Sequence, residues 1–383
     1  MRLLFFQNCV SPHQMPYIEN LALRHNVTVI VPYITDDSRQ MMGWGHYETH
    51  SPVRIMVTPS NEEVHALLEE KYNGRTVALF SGISAFKDVK RWFLMSLDYE
   101  IERAVITEAP YTFKYPLWMH KLRFLLQDYR YIKYINYLFA IGAQCEEYYR
   151  IWNGSWKVVP FDYCVAIRPE GTPIPLVDKD TVNFCFVGSL DRRKNVKVIL
   201  KAFSIFMHKH REACKACRLI LVGDGPQHDS LAKMVKKEGL EDIVTFAGTL
   251  PMNSARQIIS QSHVLILPSL YDGWGAVVNE ALMEGTMVYC SNKCGASVLI
   301  DSPSRGRVFA PTDSEALAKF LWNDYGFFLD SKKSQHRRAA LREWAEANIG
   351  PEAMAKRMEN ALKRVRRQSG ATETPKSEAS QDQ

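Results

Sequence analysis

The stretch that decides the fold is residues 264 to 288, Val-Leu-Ile-Leu-Pro-Ser-Leu-Tyr-Asp-Gly-Trp-Gly-Ala-Val-Val-Asn-Glu-Ala-Leu-Met-Glu-Gly-Thr-Met-Val. Its apolar opening, Val264 to Leu267, predicts a buried parallel strand. Pro268 ends that strand because proline cannot donate to the ladder. Gly273 and Gly275 predict a loop whose backbone can approach a ligand. From Ala276 the spacing is helical, so the stretch predicts a strand, a glycine-rich turn and a helix whose N-terminus faces the bound molecule.

Two carboxylates lie on this element, Asp272 in the loop and Glu280 eight residues later in the helix. Carboxylate oxygens accept hydrogen bonds from pairs of hydroxyls, which a ribose or a hexose offers. Asp272 is therefore predicted at the mouth of a cleft and Glu280 one layer deeper. The alternative is that Asp272 only caps the helix and that Glu280 is solvated. The neighbouring Pro-Ser and Gly-x-Gly residues favour ligand binding, since capping does not need them.

A second strand, loop and helix begins at residue 183. The apolar residues 183–187 predict a strand, and the loop Gly188-Ser189-Leu190-Asp191-Arg192-Arg193-Lys194-Asn195 leads into a helix with an apolar face. Fixed cations in a short loop neutralise the charge on a departing diphosphate. We therefore predict a diphosphate site here, although a basic triplet taken alone is more often a solvated surface run.

Residues 268–275 followed by Asn279-Glu280-Ala281 resemble the acid-x7-Glu motif of retaining glycosyltransferase family 4. The resemblance implies an α/β fold of the GT-B type, with two Rossmann-like doubly wound domains that face each other across a cleft. It implies that Asp272 contacts the transferred sugar, where the family usually has Glu, and that Glu280 holds the ribose. Asp is one methylene shorter than Glu, so this position departs from the family.

The loop after residue 187 is also similar to the family pattern Gly-Arg-Leu-x-x-x-Lys-Gly. Lys194 matches the lysine, whereas Ser189 stands where the arginine often is. Arg193 is therefore expected to replace that arginine, with Arg192 a weaker choice. Asn195 replaces the glycine, which is compatible with the tolerance of asparagine for left-handed backbone.

Further donor contacts are implied by two turns that resemble the family's. Gly223-Asp224-Gly225-Pro226 follows the next strand, and Leu250 lies in the loop that runs against the nucleobase in relatives. The full set predicted to bind the donor is Gly188, Ser189, Arg192, Gly223, Gly225, Leu250, Gly273, Trp274 and Gly275, beside the catalytic set Asp272, Glu280, Lys194 and Arg193.

The N-terminal half resembles the family only in its alternation of strands and helices. The loop after the first strand holds Ser11, His13 and Gln14, which would face the cleft and contact an acceptor or phosphate. Glu108 falls at a later strand end and is a further acceptor-side residue. The alternatives are an ordinary polar turn and a structural role for Glu108.

Residues 111–139 combine ten aromatic residues with five cations and a single acid, Asp128. Such mixing is typical of a helix at an anionic membrane surface, and also of single-stranded nucleic acid binding. The remaining explanation is that the rings fill a core while the cations are solvated. The family context favours the membrane, since many members use lipid-linked acceptors, and no nucleic-acid partner is predicted.

The domain boundary is predicted near residue 168, in a Pro- and Gly-containing linker. Residues 1–167 would form an acceptor-side domain and residues 168–350 a nucleotide-sugar-binding domain. A helix over 351–366 would cross back to the first domain, as in GT-B proteins. The tail 367–383 has the composition of a disordered segment.

Composition excludes few classes of protein. Hydrophobic residues make up 46% and charged residues 23%, as in ordinary globular proteins, and the net charge of +6 suits an anionic ligand or membrane surface. The eight scattered cysteines predict reduced thiols, and neither a signal peptide nor a spanning apolar run is visible. The expected location is therefore the cytoplasm, including the inner face of the membrane.

The predicted function is a retaining glycosyltransferase of the hexosyl type that moves a sugar from a nucleotide-diphosphate donor to an acceptor hydroxyl. Cell-surface polysaccharide or glycolipid assembly would be its setting. No cofactor is predicted: Asp-x-Asp is absent from any fitting loop, Asp36-Asp37 reads as a turn, and two cations at the phosphates make a metal unnecessary. The alternatives are a GT-B nucleotide-sugar 2-epimerase and a non-catalytic sugar-binding scaffold.

Overall fold

The computed structural model describes residues 1–35, 52–152, 154, 156–168 and 180–364. Two parallel β-sheets organise this part of the chain, as the alternating pattern predicts. The Asp36-Asp37 pair and most of the predicted linker lie outside the described residues.

The N-terminal sheet has seven strands. They are β1 (Arg2–Phe6), β2 (Asn26–Val31), β3 (Arg54–Val57), β4 (Thr76–Ser81), β5 (Glu102–Glu108), β6 (Tyr137–Ile141) and β7 (Lys157–Phe161). Their order across the sheet is β3-β2-β1-β4-β5-β6-β7, and each pairing is parallel. The chain therefore changes direction of winding between β1 and β4.

The C-terminal sheet has six strands. They are β8 (Val182–Val187), β9 (Cys217–Val222), β10 (Val244–Gly248), β11 (Val264–Leu267), β12 (Met287–Ser291) and β13 (Gly306–Phe309). The order is β10-β9-β8-β11-β12-β13, again all parallel. Here winding reverses between β8 and β11.

Helices follow most strands and cover both sheets. In chain order they are α1 (Met15–Ala22), α2 (Asn61–Glu69), α3 (Lys87–Ser96), α4 (Leu117–Gln127), α5 (Ala143–Arg150), α6 (Lys197–Lys209), α7 (Arg211–Lys215), α8 (His228–Lys237), α9 (Met252–Ser260), α10 (Val277–Met283), α11 (Ser314–Leu329), α12 (Ser331–Ile349) and α13 (Pro351–Arg364). Two 3₁₀ helices, Tyr129–Tyr134 and Gly295–Leu299, complete the regular structure.

The stretch 264–288 folds as its pattern predicts. All four residues of β11 are buried, and Pro268 follows the strand directly. The helix that the spacing predicts from Ala276 is α10, and it ends before Gly285, whose φ of 72° is left-handed. Strands buried on both faces read as continuous apolar runs, which is why this element was legible in the sequence.

Helix α13 returns to the N-terminal sheet and lies against α1. The Glu359 carboxylate accepts from Arg24 Nε at 2.8 Å and lies 2.9 Å from His25 Nε2. Arg357 pairs with Asp162 just after β7. The last helix thus ties the end of the chain to the first domain. The boundary at 168 remains a prediction, and the tail 367–383 lies outside the described residues.

The aromatic residues of 111–139 divide between core and surface. Phe124, Tyr131, Tyr137 and Phe139 are buried, whereas six are exposed: Tyr111, Phe113, Tyr115, Trp118, Tyr129 and Tyr134. Core filling therefore explains only part of the set. Within the ranges that the structure describes, no helix combines the length and apolar character needed to cross a bilayer.

All eight cysteines lie in described residues, and each is buried with a free thiol. The prediction of reduced thiols is confirmed. For Cys185 and Cys214, burial raises the pKa to about 12, so these thiols are protonated at neutral pH and poorly nucleophilic.

Candidate functional site

The predicted site lies where the C-terminal sheet reverses its winding. The loop that holds Arg193 and Lys194 follows β8, and the loop that holds Asp272 follows β11, which is the neighbouring strand. The carboxyl ends of strands on either side of such a reversal form a crevice, which is the usual ligand site of an open α/β sheet. Residues far apart in sequence are therefore brought to one place by topology.

Lys194 and Asp272 meet in this crevice. Lys194 Nζ lies 2.5 Å from Asp272 Oδ2, and Arg193 Nη1 lies 3.7 Å from the same oxygen. The Lys194 and Asp272 side chains are 12% and 13% exposed, so the pair is screened from water on most sides. Asp272 is not the cap of α10, since that helix begins without a side-chain cap. The side chains of Lys194, Arg193 and Asp272 thus form one charged cluster that is largely shielded from solvent.

The loop after β8 is held in shape by Asp191. Its Oδ1 accepts from the Lys194 backbone N–H and its Oδ2 from the Ser189 hydroxyl, both at 2.8 Å. Asn195 follows with a φ of 56°, which confirms the left-handed backbone predicted for it. Its amide nitrogen donates to the carbonyls of Pro268 and Pro311 at 3.2 and 2.7 Å. The cation loop is therefore fastened to the loop of Asp272. Arg192 is exposed beside it.

The two glycine turns predicted at the donor site pack directly on one another. A Cβ added at Gly223 would overlap the carbonyl oxygen of Gly188, and one added at Gly225 would lie 2.7 Å from the carbonyl oxygen of Leu190. Leu190 N–H donates to the Asp224 carbonyl at 2.9 Å, which closes the contact. The backbone there forms a platform beside Lys194. Leu250 is half-buried two residues beyond β10, near the same edge of the sheet.

The loop 272–275 lies against the N-terminal domain. A Cβ added at Gly273 would overlap the Glu108 carboxylate, so a larger residue there would require the Glu108 side chain to move. The Trp274 side chain lies in the core, because its Nε1 donates to Asn279 Oδ1 at 2.7 Å and its ring packs edge-on to Tyr163. Trp274 and Gly275 therefore have backbone groups, not side chains, near the crevice.

Glu280 is 7% exposed on α10, so the alternative of a solvated side chain is wrong. Burial raises the pKa of Glu280 to about 7; Arg256 lowers it and Glu284 raises it further. Glu284 itself is bound by Arg168 and Arg256, with N–O distances of 2.8 and 2.7 Å. Glu280 is thus a buried carboxyl that changes charge near neutral pH.

We expect the unfolding free energy to fall as pH rises from about 4.5 to about 7, because the folded state keeps the Glu280 proton that the unfolded chain releases. Glu280→Gln removes this titration. The melting temperature of the wild type minus that of Glu280→Gln should therefore decrease from pH 5 to pH 8. Glu241→Gln, at an exposed position, is the control. A difference independent of pH would contradict the raised pKa.

The acceptor-side residues divide into two groups. Gln14 is buried, and its side-chain oxygen accepts from Gln7 Nε2 at 2.8 Å and from the Tyr17 hydroxyl at 3.2 Å, which commits it to the domain interior. Ser11 and His13 are half-buried at the entrance to α1. Glu108 ends β5, faces Gly273 and interacts with the Tyr163 hydroxyl, whose pKa is raised well above its ordinary value by burial and by Glu108. Of these residues, Glu108 is the one that structure brings against the Asp272 loop.

Sequence reasoning missed the residues that join the two domains here. The Tyr271 hydroxyl donates towards the carbonyls of Ala109 and Pro110 at 2.9 and 3.0 Å. Asn279 Nδ2 donates to the Tyr163 carbonyl at 2.9 Å. Tyr271 directly precedes Asp272 and Asn279 directly precedes Glu280, so the sequence motif places both residues near the site. Their partners lie more than a hundred residues away, which no local pattern reveals.

The site was predicted to need no metal ion. In the described ranges, no group of three or more His, Cys, Asp and Glu residues is arranged to hold a metal ion. The requirement for a metal therefore stays a matter of prediction.

A comparison with protein families matches residues 168–322 to the family described as glycosyl transferases group 1. The site built above, with Lys194, Asp272 and Glu280, falls entirely within the matched residues. This region of the chain, residues 168–322, is therefore similar to glycosyl transferases group 1. The recognition made from the sequence is confirmed at this level.

Curated relatives share the same region. An uncharacterized glycosyltransferase of Methanocaldococcus jannaschii is 25% identical over 154 residues, which are 39% of this chain and 38% of that protein. The alpha-D-kanosaminyltransferase of Streptomyces kanamyceticus is 26% identical over 133 residues, 35% of this chain and 33% of that enzyme. The chain thus spans well under half the length of these relatives.

Solved structures match almost the whole chain. HepE of Anabaena in complex with UDP superposes with a TM-score of 0.67 at 15% identity, covering 95% of this chain and 100% of that one. The lipopolysaccharide outer core galactosyltransferase WaaB gives a TM-score of 0.64 with the same identity and coverage. The predicted GT-B fold, two Rossmann-like domains facing each other across a cleft, is confirmed.

Proposed function

We propose that the chain is a glycosyltransferase that moves a sugar from a nucleotide-diphosphate donor to an acceptor hydroxyl. The observation that carries the proposal is the cluster in which Lys194 Nζ and Arg193 Nη1 lie 2.5 and 3.7 Å from one Asp272 oxygen. Cations fixed before the reaction stabilise charge as it develops on a leaving group. The HepE structures that resemble this chain contain UDP, UDP with glucose, and UDP-glucose, which supports a nucleotide sugar as the donor.

In this proposal each residue of the crevice has a defined role. Lys194 and Arg193 bind the diphosphate, the platform of Gly188 and Gly223 bears the phosphates on its backbone, and Asp272 accepts from hydroxyls of the transferred sugar. Lys194 Nζ also lies against Asp272 Oδ2. Bound phosphate would therefore share the ammonium and leave Asp272 oxygens for the sugar. Glu280 in its ionised form accepts from the ribose hydroxyls.

The reaction breaks the bond from the anomeric carbon to the diphosphate oxygen and forms a bond to the acceptor oxygen. The acceptor proton leaves, and the nucleoside diphosphate departs as an anion held by Lys194 and Arg193. We propose that the anomeric configuration is retained and that the sugar is a hexose, as family 4 implies. Arg and Lys at the phosphates supply the positive charge that a divalent ion supplies elsewhere, so we propose that no metal is needed.

The acceptor would enter from the N-terminal domain. Glu108, which lies against Gly273, would contact the acceptor there, together with Ser11 and His13 in the loop before α1. We propose a sugar or lipid-linked acceptor, in cell-surface polysaccharide or glycolipid assembly. Residues 111–139 would contact the membrane surface, which would put the protein in the cytoplasm at the inner face of the membrane. An O-antigen chain mannosyltransferase of Escherichia coli is among the relatives, at 26% identity over 137 residues.

The test is release of nucleoside diphosphate from UDP-, GDP- and ADP-sugars, measured with and without a mixture of acceptor sugars. Release that depends on acceptor is expected, with Asp272→Asn strongly impaired. Free epimerised sugar without acceptor would indicate the epimerase, and no turnover with any donor would indicate the scaffold. Activity should persist in a metal chelator, and loss of activity there would contradict the metal-free proposal. NMR of the product linkage reports whether the configuration is retained.

A further inference from the structure

Helix α4, Leu117–Gln127, presents an apolar face outward. Its single fully buried side chain is Phe124. At about 100° per residue, the five side chains opposite Phe124 fall within about 120° of the helix circumference. These five, which we call the outer face, are Trp118, Met119, Leu122, Leu125 and Leu126, and they are 65, 40, 49, 50 and 70% exposed. A surface helix of a globular protein usually has charged residues there.

This orientation is fixed by packing. The Phe124 ring lies 4.8 Å from the Trp152 ring and 5.6 Å from Tyr149, centroid to centroid, in an aromatic cluster under the helix. The Tyr148 hydroxyl donates to the carbonyl of His120 at 3.1 Å. The outer face therefore points away from the protein because the inner face is anchored.

Cations border the outer face. Lys121 and Arg123 lie on its two sides by helical spacing, and Lys114, Arg130 and Lys133 lie in the flanking segments. Three of these cations sit over rings: Lys114 over Tyr115, Arg130 over Tyr131 and Lys133 over Tyr134, at 5.3, 4.8 and 4.9 Å from the centroids. Apolar residues flanked by Lys, Arg and interfacial aromatics are typical of a helix lying in the headgroup region of an anionic bilayer.

The surface is continuous with the reaction crevice. Tyr111 packs edge-on to Tyr271, with ring centroids 5.1 Å apart, and Tyr271 also binds the carbonyls of Ala109 and Pro110. Tyr271 immediately precedes Asp272. The exposed segment that leads into α4 therefore begins at the mouth of the cleft.

We infer that the outer face of α4 inserts into the interfacial region of an anionic lipid bilayer, with Lys114 and Arg123 contacting lipid headgroups. The geometry thereby turns the cleft mouth towards the lipid surface. The inference that α4 binds a membrane rests only on the apolar outer face and the cations that border it. Its use in presenting a lipid-linked acceptor rests on the proposed function.

The experiment measures co-sedimentation of the full chain with vesicles of phosphatidylcholine alone or mixed with phosphatidylglycerol. The wild type is expected to bind the mixed vesicles, and Leu122→Gln/Leu126→Gln to bind them at least about tenfold more weakly, because apolar area drives insertion. Lys114→Gln/Arg123→Gln should bind mixed vesicles about tenfold more weakly and with a smaller salt dependence, since Lys121, Arg130 and Lys133 remain. Leu23→Gln is the matched control, since Leu23 is 67% exposed in the same domain but far from α4 in sequence.

Three outcomes would overturn the inference. The first is a wild type that does not bind mixed vesicles while a nucleotide still raises its melting temperature; this leaves the proposed donor chemistry intact and removes the proposed membrane contact of residues 111–139. The second is equal binding to phosphatidylcholine alone, which removes the role of the cations. The third is a dimer in solution that the leucine variant dissociates, which would make the outer face an interface between copies. Unchanged melting temperatures of the variants ensure that folding is not the cause.

Discussion

Lys194→Ala is expected to lower kcat/KM by about 10² to 10³, the typical loss when one preorganised group that stabilises developing charge is removed. Lys194 Nζ lies 2.5 Å from Asp272, so its loss also leaves that carboxylate with only Arg193, at 3.7 Å, as an ion-pair partner. Both effects weaken diphosphate binding. The variant lacks the Lys194 ammonium that attracts the diphosphate, and it leaves the Asp272 carboxylate less neutralised, so that this carboxylate repels the diphosphate. Steady-state kinetics measures the loss, with whichever nucleotide sugar supports acceptor-dependent release of nucleoside diphosphate.

Lys201→Ala is the matched control for this prediction. Lys201 lies on α6, one turn into the helix that follows the cation loop, and it is exposed. Its replacement changes the net charge equally, so long-range electrostatics are held constant. A fall in kcat/KM of similar size in both variants, or a fall of less than about threefold in Lys194→Ala, would show that Lys194 has no special role.

Gly223→Ala is expected to destabilise the folded protein by about 2–5 kcal/mol. Gly223 has a φ of 125°, which strains an L-residue, and a Cβ there would overlap the Gly188 carbonyl oxygen. Relief would require the two glycine turns to separate, which would also move the loop that holds Lys194. Urea unfolding gives the stability, and nucleotide binding at a temperature where the variant is folded gives the effect on the site.

Gly239→Ala is the control that separates the cost of backbone strain from the cost of steric overlap in Gly223→Ala. Gly239 has a left-handed φ of 65°, but nothing lies within 4 Å of a Cβ added there. Its cost should be the backbone strain alone, about 1–2 kcal/mol. If the two variants lose equal stability, the contact between the turns of Gly188 and Gly223 contributes nothing.

The C-terminal domain was the part most readable from sequence, for a physical reason. Its chemistry lies in two loops that each follow a largely apolar strand, and parallel topology brings the ends of such strands to one edge of the sheet. The cation loop and Asp272 could therefore each be placed at the end of a strand, and the family resemblance assigned both to one site. Asn195 could be placed in the left-handed region because few residues other than glycine and asparagine tolerate it.

Contacts between the domains and the burial of individual side chains could not be predicted from the sequence. Trp274 is predicted from the sequence as a donor-binding residue, yet its ring is buried against Tyr163. Gln14 reads as a polar loop residue, yet its oxygen is bonded inside the domain. The match of Gly273 to Glu108 joins residues from different sheets. Each of these features depends on packing between residues far apart in the sequence, which local sequence patterns do not predict.

The segment 111–139 shows the same division. The aromatic and basic composition was visible in the sequence, but not the orientation of the rings. In the structure Phe124 is buried, whereas Trp118 and Leu126 are exposed. The apolar residues of α4 therefore form one exposed face. Orientation depends on the cluster around Trp152, which closes only in the folded domain.

The most direct test of the account is nucleotide binding by the crevice, measured as the thermal shift of wild type, Lys194→Ala and Lys201→Ala with UDP, GDP, ADP and CMP. A ligand at about 100 times its dissociation constant adds about 2.7 kcal/mol of stability. The account predicts that one nucleoside diphosphate raises the melting temperature of the wild type and of Lys201→Ala, and that Lys194→Ala loses this shift. No shift with any nucleotide, or a shift that Lys194→Ala retains in full, would contradict it.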